Sequence, residues 1–331
     1  NEHHKDFRND LQFARNLIIG WLLEDFVYIY LKKQGVDIQR TGNDSGRKLL
    51  KGHLASGEPD LLAKLNGYKL WIEVIANFPT KNYDSVITSI CDLISDLQTP
   101  DRLSVGIGTP GTLDPQTNFM KNSDSLCING SPLKKDIEDK LDYSIRVEND
   151  ANCFALSEAI YGAGKEFKCV FGVILGTGCG GGLVVGRNLV NGPNRISGEW
   201  GHNCMPTSVR DLIKSDRICH CGRTNCIETV LSGRGFKQTF KELSGMQMEP
   251  EEITRQAELQ NKDAKNCINI YAKQLAGCLS TIVNTIDPDV IVLGGGLSNI
   301  KPIYEMIHNH LCGQVFNDTC LLYTSPSPRD S

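Results

Sequence analysis

Apolar positions in residues 11–34, at Phe13, Leu17, Ile18, Trp21, Leu22 and Val27, recur at helical spacing and predict one long, mostly buried helix. A polar, glycine-bearing stretch follows. "PDLLAKL" and "KLWIEVI" then read as two short strands, and Asn66-Gly67 between them is the dipeptide favoured in a two-residue hairpin turn. From "FPTKNYDSVITSICDLISDL" the pattern becomes an α/β alternation. A helix leads to the strand "LSVGIG", a Gly/Pro turn, and the strand "YSIRVEN", which runs into the helix "DANCFALSEAIYG". "CVFGVILGTGCGGGLVV" reads as strand, glycine turn and second strand, and "DPDVIVLGGGLS" as a buried strand ending on three glycines. No internal repeat is visible. The change of pattern near residue 76 separates a helix-plus-hairpin segment, 1–76, from a larger α/β unit, 77–319. The end, "CLLYTSPSPRDS", has no periodicity and little to bury, which predicts disorder over 320–331.

Composition narrows the partners more than the fold. The 331 residues carry a formal net charge of -4, so there is no global attraction to nucleic acid or anionic membrane. No run reaches the roughly 18 to 20 apolar residues of a membrane span, and the start "NEHHKDFRND" has no charged-then-apolar leader. These features lead to the expectation of a cytoplasmic protein with a small partner. Thirteen cysteines lie between Cys91 and Cys320, too scattered for a small secreted disulfide scaffold, so most read as buried thiols.

Three stretches could carry chemistry. In "ICHCGRTNCIE", Cys219, Cys221 and Cys226, with His202 of "GEWGHN", supply three thiolates and an imidazole, a closed tetrahedral set for structural Zn²⁺. Gly222 allows the tight turn such a knuckle needs. The competing reading is unligated thiols or a local disulfide, although Cys-x-Cys spacing is too tight for an easy internal bridge. In "RVENDANCFALSEA", Asp150 stands at a strand end and a helix start. It can act as a helix cap or as a general base toward a substrate hydroxyl. The glycine turns "LGTGCGGG" and "LGGGLS" could cradle phosphate through backbone N–H groups or pack on a nucleotide, or could serve turn geometry alone.

In this order, "VGIGTPGTLDP", "KNSDS", "ENDANCFALSEA", "ILGTGCGGGLV", "GEWGHN", "CHCGRTNCIE" and "DPDVIVLGGGLSN" closely resemble the sugar kinases of the ROK (repressor, open reading frame, kinase) family over residues 77–319. The bacterial fructokinase and N-acetylglucosamine kinase branch is the most similar. The resemblance implies an actin-like (ribonuclease H-like) ATPase fold of two lobes, with sugar and ATP meeting between them. It implies Asp150 as the base for the sugar hydroxyl, and Asn149, Glu199, His202, Glu228 and Asn122 as sugar contacts. Gly176, Thr177 and Gly178 would hold ATP phosphates, and Gly294, Gly295 and Gly296 the adenosine side. The implied reaction is transfer of the γ-phosphoryl group of ATP, with Mg²⁺, to a hexose of the fructose, mannose, glucose or N-acetylglucosamine class. Zinc, enclosed by four protein ligands, would brace Glu199 and Glu228 rather than touch reacting atoms. A family-like homodimer is left open.

The chain also departs from that family. Its members begin with a strand and an Asp-x-Gly-Gly-Thr turn that grips ATP, and no such motif occurs in these 331 residues. Losing one preorganised donor to developing charge costs about 3 to 4 kcal/mol, so loss of the whole turn predicts little kinase activity. The fold is therefore expected to be incomplete at both ends. In its place "GEPDLLAKLNGYKLWIEV" resembles the PD-(D/E)xK nuclease core, an α+β fragment with Asp60 and Glu73 as candidate Mg²⁺ carboxylates and Glu24 as a further contributor. Ile75 occupies the position of the usual lysine. Nucleic acid becomes a partner only if that fragment works. The last residues resemble a translated sequencing adapter, which together with the junction near residue 76 suggests a chimera, by fusion or by faulty assembly of short reads. The other alternative is a sugar-sensing ROK regulator. Such proteins carry an N-terminal helix-turn-helix, where this sequence offers one apolar helix and a hairpin.

Overall fold

A computed structural model describes residues 18–19, 37–40, 61–65, 68–72, 82–97, 105–316 and 323–326. The chain divides into two units at Asp150 and Ala151.

The first unit contains strands β1 (Ile18–Ile19), β2 (Asp37–Arg40), β3 (Leu61–Leu65), β4 (Tyr68–Ile72), β5 (Gly106–Thr109), β6 (Thr112–Leu113), β7 (Met120–Lys121) and β8 (Arg146–Asn149). β3 and β4 pair antiparallel with Leu65 opposite Tyr68, so Asn66-Gly67 forms the expected two-residue connection, and β2 adds to the β3 edge. β1, β5 and β8 form a parallel sheet in that order. Ile18–Ile19 thus corrects the helix expected over 11–34: these two residues are a strand paired with Gly106 and Ile107. A buried strand and a buried helix both read as apolar runs, and the free edge of β5 offers backbone groups that only another strand can satisfy. The rest of that expected helix lies outside the described residues. The Tyr83–Leu97 helix presents Val86, Ile87, Ile90, Cys91 and Ile94 as one buried stripe. They pack with Ile107 and Val147 of the sheet and with Leu133 and Ile137 of the Leu133–Leu141 helix.

The second unit is built on a five-stranded sheet. Its strands β9 (Cys169–Leu175), β10 (Cys179–Val185), β11 (Asn188–Leu189), β12 (Val290–Gly294) and β13 (Tyr323–Pro326) lie in the order β11-β10-β9-β12-β13. β9 and β10 form an antiparallel hairpin, while β12 runs parallel to β9 with Gly294 opposite Ile174. Alternation along β9 sends Phe171, Val173 and Leu175 into the main core with Tyr271, Leu275 and Leu279 of the Lys262–Ile286 helix. On the opposite face, Ala155 and Phe154 lie over Gly172 and Gly294. The long helix starts where Asn261 Oδ1 accepts the Ala264 N–H at 3.0 Å, and it stops at Asp287 with φ 51°. β13 departs over four residues from the tail expected to be without order: Tyr323–Pro326 pair parallel with Val290–Leu293, and the rest of that tail lies outside the described residues. An uncovered β12 edge is a template for such pairing, and proline is tolerated there because an edge strand needs fewer ladder donors. Among the described residues, no helix is long and apolar enough to cross a membrane.

One close approach positions the site. The segment 198–202 lies directly on β10, and an added Cβ at Gly198, whose φ is +91°, would run into the Gly181 carbonyl. Trp200 locks the segment down: its Nε1–H donates to the Gly180 carbonyl at 2.9 Å, and its ring meets Phe171 edge-on at 5.9 Å. Gly198→Ala should therefore lower the unfolding free energy by about 1 to 3 kcal/mol, seen as a lower urea midpoint with an unchanged slope.

Candidate active site

The cysteine knuckle assembles through backbone pairing. The Met205 N–H donates to Asn225 O at 3.0 Å and the Ile227 N–H to Asn203 O at 2.9 Å, which brings the residues after His202 alongside Cys226. The Cys219 N–H donates to Arg223 O at 2.8 Å and the Gly222 N–H to Cys219 O at 3.0 Å, closing a turn in which Gly222 has φ +84°. The expected role of that glycine is met. One ligand atom each from His202, Cys219, Cys221 and Cys226 lies within 4.8 Å of all the others. Cys221 Sγ is 3.6 Å from Cys226 Sγ, and Cys219 Sγ is 3.6 Å from His202 Nδ1. A tetrahedron with zinc–ligand arms of about 2.0 to 2.3 Å has edges of roughly 3.3 to 3.8 Å, so the donor set fits that ion. The cysteines are free thiols.

Crowding controls their charge. Burial and then the Cys221 sulfur push the Cys226 thiol up to about 12, and burial also raises Cys219. Burial would raise Cys221 too, but hydrogen bonds from the backbone and side chain of Arg223 hold it at about 6. A divalent cation bound among them would allow all three to ionise. Outside this cluster Cys91, Cys153, Cys179, Cys267 and Cys278 are buried, as expected of packing thiols.

Arg217 fastens the knuckle to the rest of the unit. Its Nη1 donates to the carbonyls of Thr229 and Gly235, and its Nη2 to Thr239 Oγ1 and to Glu242 Oε2, the last at 3.1 Å. Two residues after Cys226, the Glu228–Leu231 helix begins with a buried carboxylate. Glu228 Oε2 accepts the Cys179 N–H at 3.2 Å, while His220 Nδ1 is 2.8 Å and Arg234 Nη2 3.6 Å from Oε1. Glu199 is half-buried, and its carbonyl accepts the His202 N–H at 3.1 Å, so the two share one turn.

The glycine turn closes with the Gly176 N–H on Gly178 O at 3.1 Å and is tied to the Gly233 N–H at 2.7 Å, leaving Thr177 exposed at its tip. Gly294, Gly295 and Gly296 leave β12 beside the end of β9, and Gly295 lies against the Leu175 carbonyl. Both glycine turns therefore sit at the carboxyl ends of neighbouring parallel strands, where open α/β sheets bind ligands. In the first unit, Thr109 of β5 stands opposite Asn149 of β8, which ends one residue before Asp150. Asn149 Nδ2 donates to Gly111 O at 3.2 Å, and the backbone on both sides of Asn122 packs against Gly111. Asp150 and Asn122 are exposed. Asp60, Glu73 and Glu24 lie outside the described residues.

The model of the ROK family matches residues 61–329. The chain belongs to the ROK family. It is a sugar kinase of that family with the actin-like ATPase fold. The N-acetyl-D-glucosamine kinase of Pectobacterium carotovorum subsp. carotovorum is 36% identical over 254 residues, 75% of this chain and 83% of the relative. That of Pectobacterium atrosepticum is 37% identical over 254 residues, again 75% and 83%. The ROK hexokinase of Thermus thermophilus superposes with a TM-score of 0.67 at 22% identity, covering 81% of this chain and 89% of that one, which speaks for the fold alone. The ROK match is wider than the resemblance over 77–319: it begins at residue 61, with the β3–β4 hairpin, and runs into the tail.

Within this ROK chain the second unit brings together Gly176, Thr177, Gly178, Glu199, His202, Glu228, the three cysteines and Gly294–Gly296. The first unit gathers Asn122 and Asn149 around Gly111, with Asp150 following β8. The sequence reading did not find the Cys179 amide or Arg217, whose roles depend on contacts across the sheet and across the knuckle. Arg217→Met leaves Glu242 and two carbonyls without their buried partner. It should destabilise the chain by about 3 to 5 kcal/mol by chemical denaturation, and Arg217→Met with Glu242→Leu should recover part of the loss.

Proposed function

We propose that the chain binds N-acetylglucosamine and transfers the γ-phosphoryl group of ATP to one of its hydroxyls. The observation that carries this reading is Glu228: one carboxylate takes the amide just beyond the phosphate-type turn and also opens the helix that follows the cysteine knuckle. Sugar contact and phosphate contact then share one rigid connection, as positioning catalysis requires. The names of the relatives at 36 and 37% identity support N-acetylglucosamine over fructose within the hexose class.

Each residue has a stated task. Asp150, exposed at the end of β8, accepts the proton of the reacting hydroxyl. Asn122, Asn149, Glu199 and Glu228 hold ring substituents, the carboxylates as charge-assisted acceptors. Gly176–Gly178 and Gly294–Gly296 receive the phosphates and the adenosine side. His202, Cys219, Cys221 and Cys226 hold zinc as a structural brace. With His202 Nδ1 directed at Cys219, its Nε2–H is left for a sugar oxygen. Mg-ATP, when bound, supplies the transferable phosphoryl group and the countercharge.

Phosphate transfer measured against N-acetylglucosamine, glucose, mannose and fructose should give the highest kcat/KM with N-acetylglucosamine; a lead for fructose or glucose overturns the substrate assignment. Asp150→Asn should lower the transfer rate by about a hundred- to ten-thousandfold while leaving sugar affinity near its original value. Protein prepared without chelator should carry one zinc per chain by elemental analysis and lose it in Cys226→Ser; a ratio near zero in the unaltered protein overturns the four-ligand assignment.

A further inference from the structure

His220 lies between two cysteines of the knuckle but is not part of the four-residue donor set. Its ring meets that of His202 edge-on at 5.0 Å, and its Nδ1 stands 2.8 Å from Glu228 Oε1. Glu228 has only 8% of its side chain exposed, and its other oxygen is already held by the Cys179 N–H. The Cys219 thiol reaches His220 Nδ1 and that same Oε1 only at 3.9 Å each, the long end of the range for sulfur. His220 is the short-range donor. Arg234, at 3.6 Å with 57% of its side chain exposed, is a weaker second.

We infer that His220 is a positioning residue for sugar recognition: its ring N–H fixes Glu228 Oε1 while the Cys179 N–H fixes Oε2, aligning the carboxylate for two sugar hydroxyls. A carboxylate has about four acceptor sites; Cys179 takes one on Oε2 and His220 one on Oε1, where Cys219 and Arg234 are longer second contacts, so capacity remains for ligand hydroxyls. With both oxygens tied, the carboxylate cannot turn about its last torsion, and binding sugar does not require that freedom to be lost. The inference rests on Glu228 being a sugar contact. One competing arrangement uses the same atoms, since Cys219, His220 and Glu228 also form a compact three-donor group. Cys219 is common to both groups but His220 belongs to one, so zinc retained or lost in His220→Ala separates the two readings.

The test is N-acetylglucosamine binding to the full zinc-loaded chain by titration calorimetry, with zinc content and thermal midpoint measured on every variant. His220→Ala should weaken sugar binding about ten- to a hundredfold, with zinc still at one per chain and the midpoint unmoved. His220→Asn, whose amide N–H replaces the ring donor, should restore most of the affinity. Undiminished binding in His220→Ala overturns the inference while leaving the functional reading intact. Loss of zinc or of folding in both variants overturns it in favour of a structural or metal-binding role, as does a second zinc in the unaltered chain. If the unaltered chain binds no N-acetylglucosamine, the functional reading and this inference fall together.

Discussion

The hydrogen bond from the Cys179 N–H to Glu228 is the contact on which the second unit's candidate site depends. Cys179 is the first residue of β10, immediately after the Gly176–Gly178 turn, and Glu228 opens the short helix after Cys226. A bond between those two points couples a sheet edge to a cysteine knuckle that has no regular secondary structure to rigidify it. The coupling is reinforced nearby. Gly233, just beyond the same helix, donates to Gly176 O, and the 198–202 segment lies against β10 from Gly198 to Trp200. Shifting any one of these pieces moves the others, because each contact has a backbone group on at least one side.

The knuckle itself needs two kinds of restraint. Inside, four donors approach within 4.8 Å of one another, a spacing that would suit a cation held between them. Outside, Arg217 replaces the hydrophobic core that so short a loop cannot build, satisfying two carbonyls, a hydroxyl and a carboxylate from one planar group. A lysine could not bridge those partners with the same fixed geometry. The candidate metal set would order the loop locally, and Arg217 ties it to the Gly233–Ser244 helix.

How much of this was legible in the sequence depends on whether a feature is local. The Asn66-Gly67 hairpin, the strand running into Asp150, the two glycine turns and the Cys-x-Cys-x4-Cys spacing are all encoded within a few residues, and each is found where the pattern puts it. Ile18–Ile19 was misread because its conformation is decided by β5, nearly ninety residues away, and not by its own apolar period. Tyr323–Pro326 fails the same way, since the β12 edge supplies an order that a Ser/Pro-rich composition argues against. The helices from Thr207 to Leu311 were not named, although the Asn261 cap and the Pro250 start of the Pro250–Glu258 helix are ordinary helix signals. Glu228 and His202 were identified as site residues, but the partners that orient them come from Cys179 and from within the knuckle's own fold.

Recognition and chemistry draw on different physics in the two units. In the second unit the candidate contacts are backbone amides and a buried carboxylate with both oxygens engaged, a rigid arrangement suited to discriminating ring substituents. In the first, Asp150 is exposed immediately after the strand β8. Asn149, one residue earlier, is held by Gly111, so the backbone leading into Asp150 is fixed while its side chain is exposed. The base proposed for this position needs that combination. Its anchor must not move when a hydroxyl arrives, and its carboxylate must be free to accept one proton and give it up again.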